Sequence, residues 1–134
     1  DLGENKIAHA NLNCAHNRTF MHQDLRTLPP EVLASGFDLV TAFEVTEYLH
    51  DPAGFFQVCA GVTRNFVMFG SPLEEPCQPF ASEAHTFSFT TAGFENLLLN
   101  AGLDVHSSNA LRIGKYKIGH DWLTVIGRRK ASKK

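Results

Sequence analysis

Three carboxylates stand where an α/β chain would offer a ligand its first hydrogen bonds. Asp1 precedes the first helical segment, Asp24 closes the run Arg18-Thr19-Phe20-Met21-His22-Gln23, and Glu44 closes the apolar run from Phe37 to Phe43. Carboxylates accept hydrogen bonds from ribose hydroxyls or an amino group, and open α/β sheets bind ligands at the carboxyl ends of their strands. Taken singly, each acid is better read as a loop residue or a helix cap. Their common place beside strand ends points to a site.

Other reactive side chains give weaker signals. Seven histidines are present, but His9, His16 and His22 form no His-x-x-x-His pair and no acid-supported triplet, so no metal site is expected. Glu44 and Glu47 have the types of a paired-carboxylate hydrolase, although sequence spacing does not fix the distance between the two groups. Cys77 has no acid or base beside it and reads as a spectator thiol. His85 is the best candidate base, because imidazole titrates near neutral pH. An equal reading gives it only the task of ordering its loop.

The elements that would position these groups follow from pattern. Phe37–Pro52, FDLVTAFEVTEYLHDP, reads as a buried strand, an acidic loop and a capped helix start, since Asp caps and Pro favours the first helical position. Before it come a helix within residues 1–13, a short strand from Arg18 to Asp24, and one helical turn over Glu31–Ala34. After it come a helix over Ala53–Val62, a strand over Asn65–Phe69 closed by Gly70-Ser71-Pro72, and an irregular segment from Leu73 to Ser88. Thr90-Thr91 then cap a helix over Ala92–Asn100, with Gly102 as its stop. Leu103–Ile113 and Asp121–Gly127 read as an antiparallel closing pair. Alternation of this kind predicts an α/β fold with a mostly parallel sheet and flanking helices.

Composition sets the bounds. A chain of 134 residues with 43% hydrophobic and 19% charged content is long enough for one domain with its own core. A formal charge of −2 argues against general nucleic-acid or membrane binding. Three widely spaced cysteines suggest a reducing compartment, the cytoplasm. No apolar run approaches the roughly 20 residues of a membrane helix. The chain opens on Asp1, as if in mid-domain.

In order and spacing these stretches resemble a class I S-adenosylmethionine-dependent methyltransferase of the small-molecule type (type 11/12-like). The residues that carry the resemblance are Asp1-Leu2-Gly3 with Ile7-Ala8-His9-Ala10, Phe20 to Asp24 with Leu28-Pro29, Phe37 to Pro52, His85 with Phe89-Thr90, Gly93 to Leu103, and Trp122 to Lys130. The resemblance implies a Rossmann-like, doubly wound fold. It implies that Asp1, with Leu2, binds ribose hydroxyls of the cofactor S-adenosylmethionine. Asp24 with Leu25 would face its adenine, and Phe43, Glu44 and Val45 would line the floor near the transferred methyl. His85 and Tyr48 are then the candidate catalytic residues, with the loop Ser71–Ser88 over a small-molecule methyl acceptor.

Two departures stand out. Many relatives carry E-x-x-E-H after the central strand, and here Tyr48 takes the histidine's place, with His50 two residues on. The family's first strand, glycine-rich loop and first helix would lie before Asp1, so residues 1–134 read as a single domain forming the C-terminal two-thirds or so of a methyltransferase domain. A preceding segment or another chain would complete the sheet, and the 134 residues alone are expected to bind S-adenosylmethionine weakly. The alternative class is a non-catalytic Rossmann-like module for binding or assembly. A third reading is a nucleotide-sugar or dinucleotide enzyme.

Overall fold

The computed structural model describes residues 4–12, 17–24, 27–73, 85–112 and 121–130. In chain order the elements are α1 (Glu4–Leu12), α2 (Pro30–Ser35), β1 (Phe37–Phe43), a single 3-10 turn (Thr46–Tyr48), α3 (Pro52–Val62), β2 (Thr63–Leu73), α4 (Thr91–Asn100), β3 (Leu103–Arg112) and β4 (Asp121–Arg129). One four-stranded sheet has the order β1-β2-β4-β3. It is mixed: β1 and β2 run parallel, whereas β4 is antiparallel to both β2 and β3. The expected antiparallel pair is present, and β4 inserts between β2 and β3. Among the described residues parallel pairing is confined to β1 with β2 and an isolated bridge between Leu73 and Phe89.

Register explains where the core lies. Side chains alternate across a strand, so one set of positions faces the helices. Val67 and Phe69 of β2, Leu123 and Val125 of β4, and Leu103 of β3 make up that set, and all are buried. Against them pack Phe56 and Cys59 of α3 and Phe94 and Leu98 of α4. Helical spacing brings each pair to one face. Phenylalanine dominates the packing: the Phe56 ring lies 4.3 Å from that of Phe69 and 5.2 Å from that of Phe94. At Gly127 an added Cβ would stand 2.8 Å from Leu98 Cδ2 and 2.9 Å from Val67 Cγ2, so α4 rests on a strand with no side chain there.

Local signals start and stop the helices. Asp51 Oδ1 accepts a 2.9 Å hydrogen bond from Gly54 N at the start of α3, and Pro52 follows the cap. Thr90 Oγ1 accepts from Gly93 N at 3.1 Å at the start of α4. Gly102, with φ of 83°, ends α4 in a conformation that costs other residues dearly.

Three sequence expectations give way. Arg18–Asp24 is not a strand. No strand neighbours it among the described residues, and a strand without a neighbour leaves its backbone groups unpaired. At Phe20 the side chain of Asn11 takes the neighbour's place: its amide donates to Phe20 O and its oxygen accepts from Phe20 N, both at 2.8 Å. Gly70-Ser71-Pro72 does not close β2. The strand continues because β4 offers partners to all three, Thr124, Leu123 and Trp122. Beyond Gly70 its neighbour β1 has ended, and an open side is where a sheet tolerates proline. Finally, β1 is not buried as expected: among the described residues it pairs only with β2. Its Leu39 and Phe43 are about half exposed.

Among the described residues no helix is long and apolar enough to cross a membrane.

Candidate functional site

Glu44 sets the geometry beyond β1. It adopts φ of 52°, a left-handed conformation unfavourable for a residue with a Cβ, and its N–H donates to Gly70 O at 3.0 Å. This kink takes the chain off the sheet edge into the 3-10 turn. The turn buries Glu47 completely. Glu47 Oε2 accepts long hydrogen bonds from Ser71 Oγ (3.3 Å) and Thr46 Oγ1 (3.4 Å), and Oε1 has no partner. The carbonyl of Glu47 accepts from Thr86 N at 2.7 Å and Phe87 N at 3.1 Å, which draws that later segment back over the turn.

The same return brings His85 to Tyr48. His85 Nε2 and Tyr48 Oη are hydrogen bonded at 3.3 Å, and the tautomer decides which donates. Their rings meet edge-on, with centroids 5.0 Å apart. A phenol joined to an imidazole forms a short proton path that neither residue provides alone.

Beside this pair lies a cleft of about 680 Å³, lined by Asp24, Tyr48, His50, Asp51, Gly54 and Phe55 among others. Polar groups rim it, and Phe55 with Val58 supplies an apolar wall. Gly54 is required by the cap: a Cβ there would lie 2.2 Å from Asp51 Oδ2. A second recess of about 630 Å³ adjoins through the shared Phe55 and Val58 and takes in Phe43, Val45 and Cys59. Burial pushes the Cys59 thiol up to about 12 from its ordinary 9.0, so this wall carries a neutral, unreactive sulfur.

The sequence-predicted residues therefore divide. Asp24 and Tyr48 share the cleft, and His85 reaches it through Tyr48. Phe43 and Val45 line the second recess, and the exposed Glu44 is not among the residues lining either space. Asp1, Leu2, Leu25 and Cys77 lie outside the described residues, as does 74–84 of the expected loop. Among the described residues no group of three or more histidine, cysteine or carboxylate side chains could hold a metal. Sequence reasoning gave no role to His50 or Gly54, and took Ser71 only as a strand end and the start of the expected loop. For the first two the signal was the Asp51-Pro52 cap, which turns the start of α3 towards the carboxyl end of β1. Glu47 was considered only as half of a carboxylate pair. Nothing in its flanks announces burial, and glutamate is rarely buried.

Comparison with known proteins adds family and fold. Residues 1–67, half of the chain, match the family model described as methyltransferase domain. The chain belongs to this methyltransferase family. Solved structures align with the chain over nearly its whole length. Magnesium protoporphyrin IX methyltransferase from Synechocystis PCC 6803, with bound SAH, matches at TM-score 0.68 and 14% identity, over 96% of this chain and 59% of that one. A chain of the complex between the Haloferax volcanii Trm112 methyltransferase activator and a methyltransferase matches at TM-score 0.75 and 14% identity, over 100% and 71%. The cyclase SpnF matches at TM-score 0.77 and 11% identity, over 98% and 64%. At these identities the likeness is one of fold. The chain spans about three-fifths of the length of the Synechocystis enzyme. Comparison with curated proteins gives no match.

Proposed function

We propose that this domain takes part in S-adenosylmethionine-dependent methyl transfer to a small-molecule acceptor. The observation that carries the reading is the cleft that gathers Asp24, Tyr48 and His50 beside the carboxyl end of β1, in a chain of the methyltransferase family. Its rim of acceptors over an apolar wall suits a flat ring bearing an amino group. Bound S-adenosylmethionine would supply an electrophilic methyl on a sulfonium centre, and proximity would carry much of the rate.

The chain's own residues then have distinct tasks. Asp24 accepts a hydrogen bond from the adenine amino group, with Leu25 beside it. Phe43 and Val45 exclude water near the methionine portion, Glu44 stands at that end, and Asp1 with Leu2 holds the ribose. Tyr48 and His85 receive the proton that the acceptor's nucleophile loses. A strand on the open side of β1, from a preceding segment or another chain, completes the pocket. Solved structures longer than this chain, one of them found with an activator chain, are consistent with either source. The formal charge of −2 favours an acceptor other than nucleic acid, and cysteine usage favours the cytoplasm.

The test is a binding and transfer assay on the longest native polypeptide containing these residues, with an acceptor screen. We expect S-adenosylhomocysteine binding that weakens about tenfold in Asp24→Ala, the loss of roughly one charge-assisted hydrogen bond. No binding of either adenosyl compound would sink the reading. The competing reading is a binding or assembly module, favoured by the open, apolar edge of β1. It predicts partner capture without methyl transfer.

A further inference from the structure

Glu47 is the one buried carboxylate among the described residues whose task the scheme above leaves open. Its side chain is 1% exposed, its Oε1 has no hydrogen-bond partner, and its Oε2 makes only two long bonds to hydroxyls. A buried acid held this loosely disfavours folding, so a fold that retains one needs a reason for it. Position supplies the reason. The Oε2 bond to Ser71 ties the turn to β2, while the carbonyl of the same residue holds Thr86 N and Phe87 N. The next residue is Tyr48, and the residue before Thr86 is His85. One amino acid thus lies between the two backbones that carry the phenol–imidazole pair, with the sheet as its footing.

We propose that Glu47 is the positioning residue of that pair: anchored on Ser71, it fixes the turn whose carbonyl receives residues 86 and 87, and so keeps His85 Nε2 within reach of Tyr48 Oη. The proposal rests on the reading of Tyr48 and His85 as the proton path, but its first readout does not depend on methyl transfer. Losing the anchor lets the turn rotate, and a hydrogen bond already at 3.3 Å has little reach to spare.

The experiment follows the His85 ring protons by NMR, assigned with His85→Gln. In the edge-on pair at 5.0 Å, the Tyr48 ring current shifts them, and Tyr48→Leu gives the unshifted reference. We expect Glu47→Ala to move the His85 signals to the Tyr48→Leu position. Glu47→Gln should hold the wild-type position, because its amide oxygen still accepts from Ser71. Where Glu47→Ala does not fold, Ser71→Ala carries the test, since it removes the footing and keeps the acid; the His85 signals should move the same way. Wild-type His85 shifts in a folded Glu47→Ala protein, or in Ser71→Ala, would overturn the proposal. In the transfer assay Glu47→Ala should lower kcat about tenfold with KM within about twofold, as for a group that acts on alignment rather than binding. If the wild-type polypeptide transfers no methyl group, the functional reading fails, and the NMR result still decides the role of Glu47.

Discussion

Tyr48 and His85 lie 37 positions apart and meet at 3.3 Å, and that meeting gives the site its most testable chemistry. An isolated exposed histidine exchanges its proton with solvent. One joined to a phenol can pass a proton along a fixed line, so removing either partner should slow turnover. We expect His85→Gln to lower kcat about a hundredfold or more, and Tyr48→Phe to lower it about tenfold. An unchanged kcat in His85→Gln would remove it as a base. Cys59 behaves in the opposite way. Folding favours its neutral thiol, pushed up to about 12 from 9.0 by burial. That contribution to stability is complete below pH 9 and is lost as pH rises towards 12, because the unfolded thiol ionises first. Alkylation by iodoacetamide at pH 8, followed by peptide mapping, should leave Cys59 unmodified in the folded protein and modify it after denaturation. Rapid labelling of Cys59 without unfolding would contradict its burial.

Elements differ in how much of their origin is local, and so in how legible they are in sequence. The start of α3 was readable from Asp51-Pro52 and the start of α4 from Thr90, because a cap acts over three residues. Gly102 was readable as a stop for the same reason. Strands take their meaning from a neighbour. Residues 18–24 carry strand-like residues and form none, whereas Gly70-Ser71-Pro72 carries turn residues and continues β2 against β4. The site divides along the same line: Asp24 could be marked from its place after a strand-like run and Tyr48 from the family pattern, but burial of Glu47 depends on Ser71 and on residues 86 and 87. Two substitutions test these elements. Thr90→Ala should cost about 1 kcal/mol through the lost bond to Gly93 N. Gly127→Ala should cost about 1–3 kcal/mol, because its methyl meets Leu98 and Val67 inside a packed core. Chemical denaturation measures both, and a neutral Gly127→Ala would mean that α4 does not press on β4 as described.

For the molecule as a whole, the open side of β1 is the dominant feature. The strand FDLVTAF has β2 on one side only, so the backbone donors and acceptors of its other edge find no strand among the described residues. Phe37, Leu39 and Phe43 stand 41%, 52% and 45% exposed along it. Natural edges are protected by lysine, proline or a bulge at the rim. This one has no lysine or proline, its register shifts only between Phe37 and Leu39, and its single charge, Asp38, accepts a 3.2 Å hydrogen bond from Asn65 Nδ2 on the neighbouring strand. From Leu39 to Phe43 the register is regular and the side chains mostly apolar, so this part of the edge is a template for a further strand, whichever chain provides it. The 134-residue chain by itself should therefore associate as its concentration rises through the micromolar range. Sedimentation velocity should show the weight-average mass climbing, and Leu39→Lys should return the chain towards monomer with its circular dichroism unchanged. The lysine stands at a half-exposed position, so it repels a second edge without entering the core. A longer native polypeptide that supplies the strand should stay monomeric over the same range. Should the 134-residue chain itself remain monomeric at about 100 µM, β1 is covered by other residues of the chain and the open-edge description is wrong.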